Sequence, residues 1–477
     1  MKTAINRIEF WILIFFLIRL VGLTNPPLET GHNWRQVTGL MVARNYLEVD
    51  PNILYPRVDE TNGKSGIIGM EFPAMNYVYF MVAKVFGYTH WYGRLLNLLV
   101  SSIGLLFFGK ILMRYFNHRI ALASVIFLAG SIWFAFSRKM MPDTFCISLM
   151  FIGIYYGSNY LLKPGALSLI LYVLFTSLAV LTKIPAGIYF IVIFLIALNS
   201  SAKLREKVYL ASATGIPLLL AYLWYFVWNP HLSEEFGNWY NVGKPIAVGF
   251  TEVISNLDKT LENFYFNSFH SYLIFFYFVA GLILIIYKRN YNLLWVFASV
   301  FIVFLIYIFK SGFYFYHHNY YIIPFVPVMA LVAGYAISFI PKKGLFALAI
   351  VLGITESVIN QQHDFFIKGS EKYKMELESI ADSVSARHDL IVINGNGNAQ
   401  QLYLSHRKGW NCSDNQLTDT AYINNITQNG CKFIFINKHG FQTVMDKPVV
   451  FENENYRVYE TGFSTDTIRP FRSGTQR

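Results

Sequence analysis

The chain has 477 residues, of which 55% are hydrophobic, 18% aromatic and only 14% charged, with a formal net charge of +11. So low a charged fraction, against roughly a quarter in soluble domains, marks a membrane protein and excludes an ordinary soluble enzyme. The positive charge is scattered through short loops and not gathered in a block, which speaks against nucleic acid and for lipid headgroups and anionic substrates, and three cysteines are too few for a disulfide scaffold.

In chain order, Lys2 and Arg7 precede an apolar run from Ile8 to Leu23 that ends in Thr24-Asn25-Pro26-Pro27, with no small-x-small cleavage site. It reads as a retained signal-anchor helix whose basic flank stays in the cytoplasm. Residues 25–71 follow as the longest polar interruption in the first half, and hold Glu29, His32, Trp34, Arg35, Gln36, Asp50, Asp59, Glu60 and Glu71. Ten further apolar runs, near 94–113, 120–137, 144–162, 166–181, 185–199, 208–228, 271–287, 291–309, 320–340 and 344–360, bring the expected spans to eleven.

The segment from Phe72 to Tyr88 is short, with Pro73 near its start and Lys84 near its end, and is assigned to the outer interface. Lys110, Arg114, Arg119, Lys163, Lys203, Arg205, Lys207, Lys288, Arg289, Lys342 and Lys343 then fall in cytoplasmic loops, with only Arg138, Lys139, Lys183 and Lys310 in the short loops opposite. That imbalance is what the positive-inside rule predicts. It also places Glu29, Glu71, Asp143, Lys183, the loop from Asn229 to His270 and the stretch Phe313 to Tyr321 on one extracytoplasmic face.

From about Gln361 the composition becomes that of a soluble domain, so the expected division is a membrane domain over 1–360 and a small extracytoplasmic α/β domain over 361–477. Glu371 to Ala386 has helical spacing, Asp389 to Asn394 and Lys432 to Asn437 read as buried strands, and Gly395-Asn396-Gly397-Asn398 is a turn leading into a short helix. Outside the cytoplasm, Cys412 and Cys431 could pair. Asn411-Cys412-Ser413 and Asn425-Ile426-Thr427 are formal glycosylation acceptors.

Each chemically interesting residue carries a bland reading beside a functional one. Glu29, beside Pro26, Pro27 and Leu28, is either a catalytic base with a raised pKa or a helix-start acid for a helix beginning near Asn33. Trp34 and Arg35 read as an interfacial anchor and its snorkelling neighbour. Glu71, just before Phe72-Pro73, is a helix-start acid, a cation ligand or an acceptor-binding carboxylate. Arg138-Lys139-Met140-Met141-Pro142-Asp143 puts an acid at the membrane edge, where it needs a partner or a function. Lys183, with Pro185, splits a 34-residue apolar run, and its cation suits a phosphate. His317 and His318 are adjacent and so poorly placed for a shared metal; phosphate or headgroup contact, or plain interfacial aromaticity, fits them better.

In order, the first helix, the acid-bearing loop ending in Glu71-Phe72-Pro73, Gly93-Arg94-Leu95-Leu96-Asn97, Met141-Pro142-Asp143, Leu181-Thr182-Lys183 and His317 to Tyr321 with Pro324 resemble the GT-C class of membrane glycosyltransferases. Within it the chain is similar to the superfamily of protein O-mannosyltransferases and aminoarabinose transferases, over residues 1 to about 360. The resemblance implies a polytopic α-helical fold, a polyprenyl-phosphate sugar donor, a glycan, lipid or protein acceptor, and a bacterial inner membrane location. It implies Glu29 as catalytic base, with Asp50 or Asp59 as substitutes because the family's acid is usually aspartate. Asp143 matches its second-loop acid and Glu71 its acid before proline. Lys183 matches its phosphate-contacting cation, with Arg138, Lys139, His317 and His318 around the same phosphate and His32 and Arg35 near the acceptor. Glu71 with Asp143 leaves room for a divalent cation that no ligand spacing demands. A flippase or transporter, or a polymerase or ligase of lipid-linked glycans, is the alternative, although the mid-helix charges and internal repeats of a transporter are missing from the sequence.

Overall fold

The computed structural model describes residues 4–29, 31–237 and 243–462. It falls into two compact units, one taking the chain up to Pro56 and Gly69–Ile367, the other Arg57–Ile68 and the chain from Lys368 onward.

The first unit is helical: α1 Ile8–Arg19, α2 Asn33–Glu48, α3 Ala74–Phe86, α4 Tyr92–Tyr115, α5 His118–Gly130, α6 Trp133–Phe136, α7 Pro142–Leu162, α8 Ala166–Thr182 and α9 Phe190–Asn199, followed by further helices out to Asn360. At its centre lies α7, packed between α4 and α8 and apolar around most of its circumference, as a helix without a solvent face must be. Close approach depends on small residues. A Cβ on Gly104 of α4 would lie 2.3 Å from the Ser148 side chain, and one on Gly153 of α7 would lie 2.5 Å from that of Thr176. Pro142 opens α7 at a position where its missing N–H costs nothing, and Asp143 in the first turn faces the positive end of the helix dipole.

Among the described residues, five helices are long and apolar enough to cross a membrane, or six if Leu257–Asn267 and Tyr272–Tyr287, bent by 96°, form one span. Other expected spans fall on shorter or broken helices. The run at 120–137 stops at Ser131, whose hydroxyl accepts from the Trp133 N–H at 3.2 Å, and restarts as α6. The run at 320–340 begins as a 3₁₀ turn over Asn319–Ile322 and becomes α-helix only at Val326, past Pro324, which has no N–H to give. Within the segment expected as a loop from Asn229 to His270, Asn229–Phe236, Ile246–Ser255 and Leu257–Glu262 are helical, and residues 238–242 lie outside the described ones.

The second unit is built on a five-stranded sheet in the order β2-β1-β3-β5-β4, with β1 Leu390–Asn394, β2 Lys408–Cys412, β3 Cys431–Asn437, β4 Val449–Glu452 and β5 Tyr456–Glu460. β1 pairs in parallel with β2 and β3, so it is covered on both faces and reads as a continuous apolar run. β1 and β3 fall on the two expected strands, and Gln400–Ser405 is the short helix after the turn; the segment expected as one helix from Glu371 is a 3₁₀ stretch to Glu376 and an α-helix over Leu377–Val384. Residues 57–68 belong here because the Asn62 N–H donates to the Gly409 carbonyl and the Gly409 N–H to the Asp59 carbonyl, both at 3.0 Å. Gly409 sits at φ +146°, and a Cβ there would lie 1.8 Å from the Ile391 carbonyl oxygen.

The anticipated disulfide does not form. Cys412 pairs in register with Asn394 at the end of β1, whereas Cys431 pairs with Leu390 at its start, on the opposite edge. Two strand spacings, about 10 Å, already exceed the reach of a disulfide, and both thiols are free and buried.

Candidate active site

Four chain segments in the first unit bring opposite charges together. α8 ends at Thr182, and the next residue, Lys183, is ion-paired with Asp143 of α7. One turn into α2, Arg35 is ion-paired with Glu71. The two pairs act on each other as well, since Lys183 feels Glu71 and Arg35 feels Asp143. Arg35, Glu71, Phe72, Met140, Pro142 and Thr182 line one crevice. Above Lys183 lie the rings of Tyr320 and Tyr321, with Nζ 5.0 and 5.5 Å from their centroids, a cation–π arrangement that keeps the ammonium in place.

The backbone around these groups is fixed by polar side chains from neighbouring helices. The Met70 carbonyl accepts from Trp224 Nε1 at 2.9 Å and from Asn229 Nδ2 at 2.8 Å, and the Phe72 N–H donates to the Leu181 carbonyl at 3.1 Å. These bonds hold Glu71 against the end of α8. Asn97 of α4 directs its amide to the carbonyls of Phe136, Lys139 and Met141 at 3.1, 2.8 and 3.2 Å, fixing the turn that presents Asp143. Asn97 closes the motif Gly93-Arg94-Leu95-Leu96-Asn97, whereas Asn229 stood out only as the residue that ends the apolar run 208–228. One Asp143 oxygen, Oδ2, is buried without a hydrogen-bond partner among the described residues.

Glu29 lies elsewhere, and its geometry argues against the role expected of it. It is 1% exposed, 3.2 Å from Arg94 and 3.9 Å from Arg138, both equally buried, and it accepts from Gln36 Nε2 at 3.1 Å. A carboxylate buried between two guanidiniums offsets their charge and has no open path to an acceptor in this arrangement. Neither substitute fits. The Asp50 carboxylate accepts from the Asn52 N–H at 3.1 Å in a turn, and Asp59 lies in the second unit.

Arg138 and Lys139, expected near the donor phosphate, are each 1% exposed and lie in the interior. The Arg138 guanidinium lies 4.2 Å from the centre of the Phe365 ring. Lys139 donates to Asp364 at 2.6 Å and to the Gly31 carbonyl at 3.0 Å. Burial alone would raise the Asp364 carboxyl, but Lys139 outweighs it and holds that group below the usual aspartate range. Burial would raise Glu71 in the same way, and Arg35 with Lys183 brings it below the glutamate range, so it stays ionised. Glu71 and Asp143 are thus each matched to a cationic side chain. Among the described residues no three His, Cys, Asp or Glu side chains gather as metal ligands.

His32 bonds through Nε2 to Asn319 Oδ1 at 3.2 Å and packs edge-on against Tyr320 at 4.9 Å. His318 stacks on Tyr320 at 5.3 Å, and exposed His317 stacks on Phe313 at 4.8 Å. Burial, with Lys139 behind it, lowers His32 to about 4; burial, with His32 nearby, lowers His318 to about 4. Both rings are neutral at pH 7 in this arrangement. Because the unfolded chain binds these protons near pH 6.5 and the folded one only near 4, stability is full above about 6.5 and falls as pH drops towards 4. The thermal midpoint of the purified protein in detergent should decline over that window, with a shallower slope when His32 and His318 are both asparagine. A flat profile between pH 7 and 5 contradicts the assignment.

Residues 71–228 match the profile of the family described as dolichyl-phosphate-mannose-protein mannosyltransferase. The fold is similar to that of ArnT from Cupriavidus metallidurans, both in the apo state (TM-score 0.57) and bound to undecaprenyl phosphate (TM-score 0.58), with 12% identity over 94% of this chain and 98% of that one. It is also similar to the oligosaccharyltransferase of Archaeoglobus fulgidus in the apo form, with TM-score 0.58 and 12% identity over 89% of this chain and 69% of that one. No curated protein matches the sequence. The chain has the GT-C fold seen in those two proteins, as its motifs suggested.

Proposed function

We propose that this chain, a membrane protein with a GT-C glycosyltransferase fold, transfers a glycosyl group from a polyprenyl-phosphate sugar to a hydroxyl or amine acceptor. In this reading the reaction takes place at the extracytoplasmic face of a bacterial inner membrane. The observation that carries the reading is Lys183, a membrane-edge cation paired with Asp143 and roofed by Tyr320 and Tyr321, one crevice away from Arg35 and Glu71. The undecaprenyl phosphate in the ArnT structure supports a lipid phosphate as the group these cations receive.

In this reading the donor phosphate competes for Lys183 and Arg35, and in doing so loosens Asp143 and Glu71 from their partners. Asp143, freed from its counter-charge, takes the acceptor proton; Glu71 orients the acceptor. The acceptor oxygen or nitrogen forms its bond to the anomeric carbon from the face opposite the phosphate, while the bond from that carbon to the phosphate oxygen breaks and its electron pair leaves on polyprenyl phosphate. The charge developing on that leaving group is stabilised by the two cations. No acid is required, because a phosphate monoester leaves without protonation, in contrast to hydrolysis by paired carboxylates, and the configuration inverts in one displacement.

The test is release of polyprenyl phosphate by the purified protein in lipid, across a panel of polyprenyl-phosphate sugars. Turnover of at least one donor is expected. Tight donor binding with no turnover in the presence of varied acceptors would favour a flippase.

A further inference from the structure

The rings beside Lys183 form a continuous series that the ion pairs leave unexplained. Tyr321 lies 5.5 Å from Lys183 Nζ, His318 is 6.0 Å from Tyr321 and within 20° of parallel to it, and Trp34 is 6.0 Å from His318. Tyr314 lies 8° from parallel to His318. The series starts at the cation and ends at Trp34, which is 38% exposed although it belongs to the same first turn of α2 as Arg35. Aromatic residues that only anchor a protein in the interface face lipid singly; here Tyr321 and His318 are near parallel, Trp34 is tilted 42° from His318, and His318 also lies against the buried Tyr320 beside Lys183.

We infer that Tyr321, His318 and Trp34 form a shelf for the pyranose ring of the donor, which lies flat on them while its phosphate is held at Lys183. The inference rests on the function proposed above and adds the subsite that distinguishes a glycosylated carrier from a bare one. Aromatic faces are electron-rich and attract the weakly positive C–H edges of a sugar, and a ring face in a partly enclosed site gives contact area without demanding particular hydroxyls. His318 suits this place because it is an uncharged flat ring at neutral pH. A sugar joined to a phosphate on Lys183 meets Tyr321 first, then His318, then Trp34.

The experiment compares two ligands. Full-length protein in lipid nanodiscs is titrated with polyprenyl phosphate alone and with the polyprenyl-phosphate sugar, as wild type, Trp34→Ala, Trp34→Phe and His318→Ala. We expect Trp34→Ala and His318→Ala to weaken the glycosylated carrier by about tenfold, the scale of losing one stacking ring, and to leave the bare carrier within about twofold of wild type, with Trp34→Phe restoring most of the difference. Trp34 is exposed, so its replacement leaves the packed interior untouched. Equal loss for both carriers would mark a lipid anchor and overturn the shelf. Unchanged binding of the glycosylated carrier would overturn it too, with the proposed function intact. Wild-type protein that binds neither carrier would overturn both.

Discussion

Replacing Lys183 by methionine should lower polyprenyl phosphate release by about 10²–10³-fold, the cost of removing one preorganised group from a developing anion. Methionine keeps much of the stem and removes the charge, so the loss reports on electrostatics more than on packing. Asp143→Asn should cost a comparable 10²–10⁴-fold, the range for a general base. The two residues are ion-paired in the resting protein, so their effects should not multiply: the double variant is expected close to the worse single one. Lys183→Arg restores charge with a different shape and should recover only part of the rate. The same release assay in lipid measures all four. If Lys183→Met keeps more than a tenth of wild-type turnover, the phosphate is held elsewhere and the mechanism fails.

Arg35 and Glu71 extend this logic. A site that binds a phosphodiester must offer cations without leaving them bare in a poorly solvated place, and pairing each with a carboxylate solves that problem until the substrate arrives. The cost is that donor binding first has to displace existing partners. The compensating gain is that a carboxylate becomes basic only when the phosphate is present, which ties proton removal to an occupied site.

Much of this arrangement was legible in the sequence because membranes make charge conspicuous. Lys183 and Asp143 stood out as ionisable residues at the ends of apolar runs, and Glu71 as an acid at a Phe-Pro break. The α/β character of the second unit was legible from two apolar strands, whereas β2 was not, since Lys408–Cys412 is an ordinary polar sequence that counts as a strand only through its pairing with β1. Pairings were illegible for a related reason. Nothing local says that Glu29 meets Arg94 and not an acceptor, because that contact depends on how α4 is placed against the loop after α1. Helix register is equally hidden at Trp224, which sits in a π-helical turn over Leu223–Trp228 and thereby turns its indole N–H towards Met70.

The fate of Glu29 separates the sequence reading from the geometric one. As a base, Glu29→Gln would abolish turnover in a protein that folds normally. As the neutralising charge of a core holding Arg94 and Arg138, the same change removes a full negative charge from beside two guanidiniums that are each 1% exposed, and should cost about 3–5 kcal/mol of stability. The amide retains the bond to Gln36 but cannot offset the cations, and Arg19, buried nearby, adds to the repulsion. We therefore expect a lower yield and a reduced thermal midpoint in detergent, with turnover per folded molecule within a few-fold of wild type. Arg94→Met in the Glu29→Gln background should recover part of the midpoint, because it removes a charge left without a partner, and that recovery is a signature no catalytic role can produce. A Glu29→Gln protein with a normal midpoint and no turnover would return the base to Glu29 and leave Asp143 as an anchor for Lys183.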